Sequence, residues 1–133
     1  MAEGQPMNIQ PAEPHGNLPS EPGFLYHATN SESLYDIATS GAINVHEPWY
    51  GTDQDAWPDG SEEKRAYFSP KAGAVWALAP EDGDPAILRV PTTATKFYRE
   101  PTGDWYSRTP VPVKDAEFLA TDGQWYSLGM LLQ

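Results

Sequence analysis

Three short stretches of the chain combine side chains that can do chemistry together. Residues 25–29 read LYHAT and carry His27, residues 66–69 read AYFS and carry Tyr67, and residues 98–105 are aromatic and acidic. A histidine supplies a ring that forms hydrogen bonds and exchanges protons, a tyrosine supplies a stacking surface, and a carboxylate supplies acid–base chemistry. A lone histidine is more often a structural hydrogen-bonding residue and an aromatic residue is common in protein cores, so the functional interpretation depends on the order of the three stretches and on their strand-then-helix setting.

The sequence excludes several other kinds of site. The chain has no cysteine and three histidines, none of them at helical or hairpin ligand spacing, which argues against thiolate chemistry and against a metal. The spacing of the acidic cluster in residues 53–63 does not match a calcium-binding loop, because the glycine and the terminal glutamate are not at the required positions. Neither a phosphate-cradling glycine loop nor a nucleophile elbow is present. His15 and His46 are given no role.

The element that presents His27 is predicted to be a strand followed by a helix. Residues 23–27 are a short β-prone run. The following NSESLYDIATSG offers Asn30 or Ser31 as the helix N-cap and Gly41 as a left-handed C-cap. We therefore expect His27 at the end of a strand, just before a short amphipathic helix.

The element that presents Tyr67 repeats this arrangement. Residues 65–68 are predicted to be a strand. Ser69 is a good N-cap, Pro70 suits the first helical position, and a second short helix is predicted to end at Pro80. Both candidate residues are thus expected where a strand gives way to a helix.

The rest of the chain is predicted to be mainly strands. The Asp-Gly pair at residues 122–123 is a strong signal for a two-residue hairpin turn. Two early helices and several late strands indicate an α+β domain built on a bent antiparallel sheet. The late strands are expected at residues 86–90, 96–98, 105–108, 111–113, 117–119 and 124–128.

With 133 residues, the chain has room for one domain, expected at 23–133. Residues 1–22 are rich in proline and polar residues, so we expect a mobile arm. Residues 47–64 have neither helical nor strand periodicity and are predicted to be a long surface loop. This loop carries apolar rings suited to docking, at Trp49, Tyr50 and Trp57.

The charge of the chain limits its partners. Nineteen acidic and eight basic residues give a formal net charge of -11, which repels phosphate backbones and anionic membrane surfaces. Binding to nucleic acid without help is therefore not expected. No apolar run approaches the roughly 20 residues that cross a bilayer, and no signal peptide is recognisable, so the sequence predicts a cytoplasmic protein.

The three stretches together resemble the ADP-ribosyltransferase superfamily. In that family, tyrosine-histidine-glycine-threonine ends one strand, and tyrosine-phenylalanine-serine precedes a helix that bears aromatic residues. The chain is most similar to the small rifampin ADP-ribosyltransferase type, through AYFSPKAGAVWALA and YSRTPVPV. The resemblance covers residues 24–128 and implies bent antiparallel sheets with two or three short helices.

The resemblance also implies that NAD is the substrate. His27 would then hydrogen-bond the adenosine-side ribose, and the backbone of Ala28, which stands where the family usually has glycine, would hold the nicotinamide amide. Tyr67 would stack on the nicotinamide ring, with Trp76 on its opposite face. The full set of NAD-binding residues that the resemblance implies is His27, Ala28, Thr29, Arg65, Tyr67, Ser69 and Trp76. Arg65, with Lys64 and Arg89, is the nearest source of positive charge for the pyrophosphate.

The catalytic carboxylate has three candidates. Cleavage of a glycosidic bond through an oxocarbenium-like transition state needs an anion near the ribose. The resemblance implies that this carboxylate lies shortly before a late strand. Asp104 is the first choice by position, Glu100 is the second and Glu117 is the third.

The resemblance implies a mono-ADP-ribosyltransferase, a glycosyltransferase that cleaves NAD and passes ADP-ribose to an acceptor. The acceptor is either a protein side chain or a small hydroxyl-bearing molecule. The alternative is a catalytically inactive module of the same fold that binds a nucleotide or a protein. An RNA phosphotransferase relative would need more basic residues than this acidic chain has.

Overall fold

The architecture is a mixture of short helices and antiparallel sheets. The structure is a computed structural model that describes residues 9–47, 57, 61, 63–78 and 83–132, and for residues 76–78 it describes the backbone. The strands in this part of the chain are β1 (Phe24–Asn30), β2 (Ala42–Ile43), β3 (Ala66–Phe68), β4 (Pro85–Pro91), β5 (Tyr98–Arg99), β6 (Trp105–Ser107), β7 (Val111–Pro112), β8 (Glu117–Leu119) and β9 (Trp125–Ser127). The helices are α1 (Ser31–Ser40) and two 3₁₀ helices, Ala72–Leu78 and Leu128–Leu132.

The turn from β1 into α1 follows from local sequence. The side chain of Asn30 accepts a hydrogen bond from the backbone N–H of Ser33 at 2.7 Å, which satisfies one of the first N–H groups of the helix. Gly41 ends the helix in the left-handed region at φ 84°, and its N–H donates to the carbonyl of Ile37 at 2.9 Å. Gly41 is confirmed as the C-cap. Of the two residues predicted as candidates for the N-cap, Asn30 is the one that caps the helix.

The strands form three antiparallel sheets. The largest has the order β1-β4-β8-β9, a second has the order β3-β6-β5, and β2 pairs with β7. The first two sheets meet where β1 passes β3. There the backbones of Tyr26 and Ser69 exchange hydrogen bonds of 2.8 and 2.9 Å. The coarse prediction of an α+β protein with mostly antiparallel pairing is confirmed.

The main sheet separates two apolar clusters because side chains alternate along its strands. Leu88 and Phe118 are fully buried cross-strand partners on one face, in the larger cluster. Tyr26 and Ile87 are fully buried in the smaller cluster on the other face. All five central residues of β4, 86–90, are buried, so this strand is the centre of the fold.

The segment expected to be a mobile arm makes defined contacts over its described part, residues 9–22. The N–H of Ala12 donates to the carbonyl of Leu119 at 2.9 Å, and the N–H of Ala72 donates to Oγ of Ser20 at 2.8 Å. Ala12 and Leu18 also pack against the smaller apolar cluster. The structure thus differs from the expectation because a few apolar residues and backbone groups find partners on the sheet.

The prediction that His27 ends its strand is wrong: β1 continues to Asn30, so His27 lies in the middle of the strand, because the backbone pairs with β4 as far as Pro85. The helix expected after Ser69 is a 3₁₀ helix that begins at Ala72. The strand before it, β3, is one residue shorter than predicted, and the strand after it, β4, is one residue longer at each end. Trp49, Tyr50, Pro80 and most of the predicted loop at 47–64 lie outside the described residues. In the described part of the chain, no helix is long and apolar enough to cross a membrane.

Candidate functional site

One face of the β3-β6-β5 sheet is polar and aromatic. Tyr67 is the central residue of β3, and its cross-strand partner on β6 is Tyr106, which in turn pairs with Tyr98 on β5. The rings of Tyr67 and Tyr106 are 5.7 Å apart, and those of Tyr98 and Tyr106 are stacked at 5.5 Å. Ala66 and Phe68, the neighbours of Tyr67, belong to the larger apolar cluster. Because side chains alternate along a strand, the side chain of Tyr67 lies on the face of β3 that points away from the apolar core.

The carboxylate of Glu100 is hydrogen-bonded to the hydroxyl of Tyr67. Its Oε1 accepts hydrogen bonds from the hydroxyl of Tyr67 and from Nη1 of Arg65, the latter at 2.9 Å. Its Oε2 accepts a longer bond, 3.3 Å, from Oγ1 of Thr102. The residue is only 5% exposed, so its carboxyl group is largely shielded from water. It therefore depends on these donors for its hydrogen bonds.

Arg65 is the cation of the site and is 1% exposed. Its Nε and Nη2 donate to Oε1 of Glu63 at 3.0 and 2.8 Å, while Nη1 also donates to the hydroxyl of Tyr67 at 3.0 Å. The guanidinium carbon lies 3.9 Å from the centre of the Tyr106 ring. The resemblance assigns this side chain to a pyrophosphate, but the structure places it inside the protein between two carboxylates.

Glu63 continues the network toward the surface. Arg108, which is half exposed, approaches Oε1 of Glu63 with its Nε at 3.2 Å. The hydrogen bonds from Arg65, more than any other contact, hold the pKa of Glu63 below its ordinary value. From the surface to the interior, the network therefore runs from an acidic residue, Glu63, through a basic one, Arg65, to a second acidic one, Glu100.

His27, on β1, contacts the backbone of β3 at Tyr67. Its Nδ1 donates to the backbone carbonyl of Tyr67 at 2.8 Å, which leaves Nε2 as the acceptor nitrogen of a neutral ring. The ring lies 5.0 Å from that of Phe68. Burial lowers the pKa of His27 below its ordinary value of 6.5, and outweighs the opposing effect of the bond to Tyr67. The neutral imidazole is therefore the dominant form at neutral pH.

Trp57 closes one side of the site. It is 2% exposed, its Nε1 donates to the carbonyl of Glu63 at 2.6 Å, and its ring lies 4.7 Å from that of Tyr67. The ring of His46 is 5.5 Å from Trp57 on another side. The sequence indicated that the loop at 47–64 docks on something, and this residue of it docks beside Tyr67.

Asp104 lies next to Glu100 across the turn that joins β5 to β6. The N–H of Glu100 donates to the backbone carbonyl of Asp104 at 2.8 Å. Burial and then the charge of Glu100 raise the pKa of Asp104 above its ordinary value, with a hydrogen bond from Thr102 acting in the opposite direction. Two of the three candidate carboxylates are thus neighbours, and Glu100 is the one that contacts Tyr67.

Glu117, the third candidate carboxylate, lies elsewhere. It is aligned with Arg89, which is aligned with Tyr26, so all three share the face of the main sheet opposite to His27. Arg89 donates to Oε1 of Glu117 from Nη2 at 2.7 Å and from Nε at 2.9 Å. Arg89, a candidate for the pyrophosphate, is therefore also on that face.

The remaining predicted residues surround the junction of β1 and β3. Ala28 and Thr29 continue β1 beyond His27, and Thr29 is buried. Oγ of Ser69 accepts a hydrogen bond from the N–H of Lys71 at 3.1 Å and so helps to start the 3₁₀ helix. Trp76 lies on that helix, and its side chain falls outside the described residues. Lys64 is exposed, 3.9 Å from a carboxylate oxygen of Glu47.

Sequence reasoning missed part of this network. Glu63, Thr102 and Tyr106 were not assigned to the site, although each holds Arg65 or Glu100 in place. The signal that was present is the spacing of Glu63, Arg65 and Tyr67, since residues two apart on an extended segment share a face. The partner of that face, Glu100, is 35 residues from Arg65 and had no local signal.

The arrangement can bind and polarise a polar substrate. It offers a neutral imidazole acceptor, an aromatic ring that is partly exposed and a buried carboxylate, and hydrogen bonds through Tyr67 link the three residues. No group of three or more potential metal ligands occurs among the described residues. Comparisons of the chain with protein-family models, with curated proteins and with solved structures find no match. A function therefore has to be argued from the chain's own residues and geometry.

Proposed function

We propose that this protein is an NAD-dependent mono-ADP-ribosyltransferase. The reaction would break the bond between the nicotinamide nitrogen and C1′ of the adjoining ribose, and the bonding electron pair would leave with nicotinamide. A lone pair of an acceptor group, on a protein or a small molecule, would form the new bond to C1′ and lose its proton. The fold that goes with this proposal is the ADP-ribosyltransferase type of bent antiparallel sheets.

The observation that carries the proposal is the contact of three residues from separate parts of the chain. Nδ1 of His27 bonds the carbonyl of Tyr67, 40 positions later, and the hydroxyl of Tyr67 bonds Glu100, a further 33 positions on. A histidine, a tyrosine and a carboxylate are the three residue types that the resemblance requires. Nothing in the local sequence forces these strands together, so their convergence supports a shared role.

Each of the three residues has a task that fits its surroundings. Nε2 of His27 would accept a hydrogen bond from a ribose hydroxyl, because Nδ1 already holds the proton. The ring of Tyr67, which is partly exposed and contacts the rings of Trp57 and Tyr106, would stack on nicotinamide. Glu100 would grip the nicotinamide-side ribose and stabilise the positive charge that develops at C1′.

Asp104 is the carboxylate that the resemblance ranks first, and its surroundings suit a different task from that of Glu100. It is partly exposed, and burial together with the nearby charge of Glu100 raises its pKa. A carboxylate with a raised pKa next to the reacting group is suited to accept the acceptor's proton. We therefore propose Glu100 as the electrostatic catalyst and Asp104 as the base.

The test is the release of nicotinamide from NAD by the full chain, followed by mass spectrometry with and without cell extract. Turnover by the wild type, and a mass increase of the acceptor by ADP-ribose, would support the proposal. Glu100→Gln should lower the release rate by on the order of 100-fold while NAD still binds. The matched control is Asp115→Asn, which changes an exposed carboxylate outside the site and should keep full activity.

One observation favours a second candidate function, a nucleotide- or protein-binding module without turnover. The side chain of Glu100 is only 3% exposed, and its Oε1 already accepts hydrogen bonds from Arg65 and Tyr67. If this engagement persists when ligand binds, the carboxylate never meets a ribose. Saturable NAD binding without nicotinamide release would support this module and contradict the transferase, whereas no NAD binding at all would contradict the NAD site itself.

A further inference from the structure

The orientation of the Arg65 guanidinium is fixed in three directions. One edge, Nε and Nη2, donates to Glu63, while Nη1 donates to both Glu100 and Tyr67. The flat face lies 3.9 Å from the centre of the Tyr106 ring. An arginine has a rigid planar fork of donors, so contacts on both edges and one face leave it no freedom to rotate.

The position of Glu100 depends on this arginine. A carboxylate that is almost fully buried is unfavourable unless a cation and hydrogen-bond donors accompany it. Among the described residues, Arg65 is the one that forms an ion pair with Glu100. The side chain of Glu63 is 34% exposed, so it can be hydrated and needs Arg65 much less than Glu100 does.

The two oxygens of Glu100 have different surroundings. Oε1 accepts from both Arg65 and Tyr67, while Oε2 has a contact of 3.3 Å with the hydroxyl of Thr102. Two strong donors on Oε1 fix the rotation of the carboxylate about its last bond. Oε2, with the weaker partner, is the oxygen that an incoming hydroxyl can engage by displacing Thr102.

We propose that Arg65 is the positioning residue of the site: it locks Oε1 of Glu100 against the Tyr67 hydroxyl and presents Oε2 to the ribose. The effect of this role on catalysis rests on the proposed function, whereas the contacts that hold Glu100 in place do not depend on it. Arg65 acts through Glu100 and does not contact substrate. It is a different role from that of binding a pyrophosphate, which would require an accessible guanidinium.

The experiment is a double-mutant cycle on nicotinamide release with Arg65→Met, Glu100→Gln and the double variant. Arg65→Met should lower kcat by on the order of 100-fold and change KM for NAD by less than about threefold, because the substrate itself is not contacted. In the Glu100→Gln background the same change should have no further effect on kcat. If the two single reductions in kcat multiply in the double variant, or if Arg65→Met raises KM strongly and leaves kcat unchanged, the positioning role is wrong.

Two further variants keep the test decisive. Arg65→Lys retains the charge but lacks the fork, so we expect about a tenfold lower kcat with unchanged KM, and full activity would contradict the fixed orientation. This variant also serves if Arg65→Met fails to fold. Arg99→Met removes an exposed arginine of β5 and should behave as the wild type.

A second readout separates this inference from the proposed function. If the wild type releases no nicotinamide, the transferase proposal fails, and the free energies of urea unfolding for the same four proteins then test Arg65 by themselves. Single variants that each destabilise strongly, with a double variant close to either single one, would support the lock. Strictly additive losses would overturn it.

Discussion

The hydroxyl of Tyr67 donates a hydrogen bond to Oε1 of Glu100, and the same oxygen accepts a bond from Arg65. Burial, followed by this bond to Glu100, raises the pKa of Tyr67 above its ordinary value. The hydroxyl therefore stays a protonated donor throughout the physiological range. Tyr67 thus has two separable parts, a ring that faces Trp57 and Tyr106 and a hydroxyl that holds the carboxylate.

The two parts of Tyr67 predict different kinetic effects. Tyr67→Phe keeps the stacking ring and loses the donor, so kcat for nicotinamide release should fall by about tenfold while KM for NAD stays nearly constant. Tyr67→Ala loses both parts and should abolish turnover. Tyr35→Phe, which removes the hydroxyl of an exposed tyrosine on α1, is the matched control. Equal effects of Tyr67→Phe and Tyr67→Ala would contradict this division.

The neutral state of His27 predicts a dependence of stability on pH. Its pKa in the folded protein lies below the ordinary 6.5, so between the two values the unfolded chain binds more protons than the folded one. The free energy of unfolding should therefore fall as the pH drops below about 6.5. His27→Asn should show a shallower slope in urea unfolding than the wild type. His15→Asn, at an exposed position, should keep the wild-type slope, and identical slopes for all three would refute the assignment.

The contact between Gly73 and the N-terminal segment predicts a large effect of one methyl group. A Cβ at Gly73 would lie 2.4 Å from the carbonyl oxygen of Gly16, so backbone would have to move. Gly73→Ala should lower the free energy of unfolding by about 1–3 kcal/mol. Gly129→Ala is the matched control, since nothing lies within 4 Å of its Cβ position. If Gly73→Ala is as stable as the wild type, residues 9–22 are not held against the 3₁₀ helix Ala72–Leu78.

The position of Glu117 predicts that it supports the fold and not the reaction. Glu117→Gln weakens the pair with Arg89, a residue that is 6% exposed and lies against the rings of Phe24 and Trp125. We expect a loss of about 1–3 kcal/mol in the free energy of unfolding, with kcat for nicotinamide release unchanged. Measuring both quantities on the same preparation makes the comparison with Glu100→Gln direct. A selective loss of kcat would place Glu117 in the reaction instead.

Local sequence signals predicted both ends of α1 and the existence of the strands at His27 and Tyr67, but not that β1 continues to Asn30 or that the second helix begins only at Ala72. Asn30 and Gly41 bound α1 because capping depends on residues within one helical turn of each end. The strand at Tyr67 follows equally from a short β-prone run. These are properties of neighbouring residues, so no knowledge of the fold was needed to predict them.

Properties that depend on distant partners were not anticipated. Position in the chain favoured Asp104 over Glu100, but the choice of carboxylate in contact with Tyr67 depends on how β5 and β6 pair with β3. Arg65 was expected to bind the pyrophosphate, because the two carboxylates with which it pairs were not recognisable as its partners in the sequence. The contacts of residues 9–22 depend on groups offered by Leu119 and Ala72, which composition does not reveal.

The buried pair of Arg65 and Glu100 also constrains how this sequence can diverge. Losing Arg65 alone strands the charge of Glu100 inside the protein, whereas losing Glu100 alone leaves Arg65 paired with Glu63. Descendants of this chain should therefore lose the arginine at position 65 only where position 100 has also lost its carboxylate. Lineages that carry two apolar residues there would have kept the fold and given up the carboxylate, so this pair of positions would separate the active members from the silent ones.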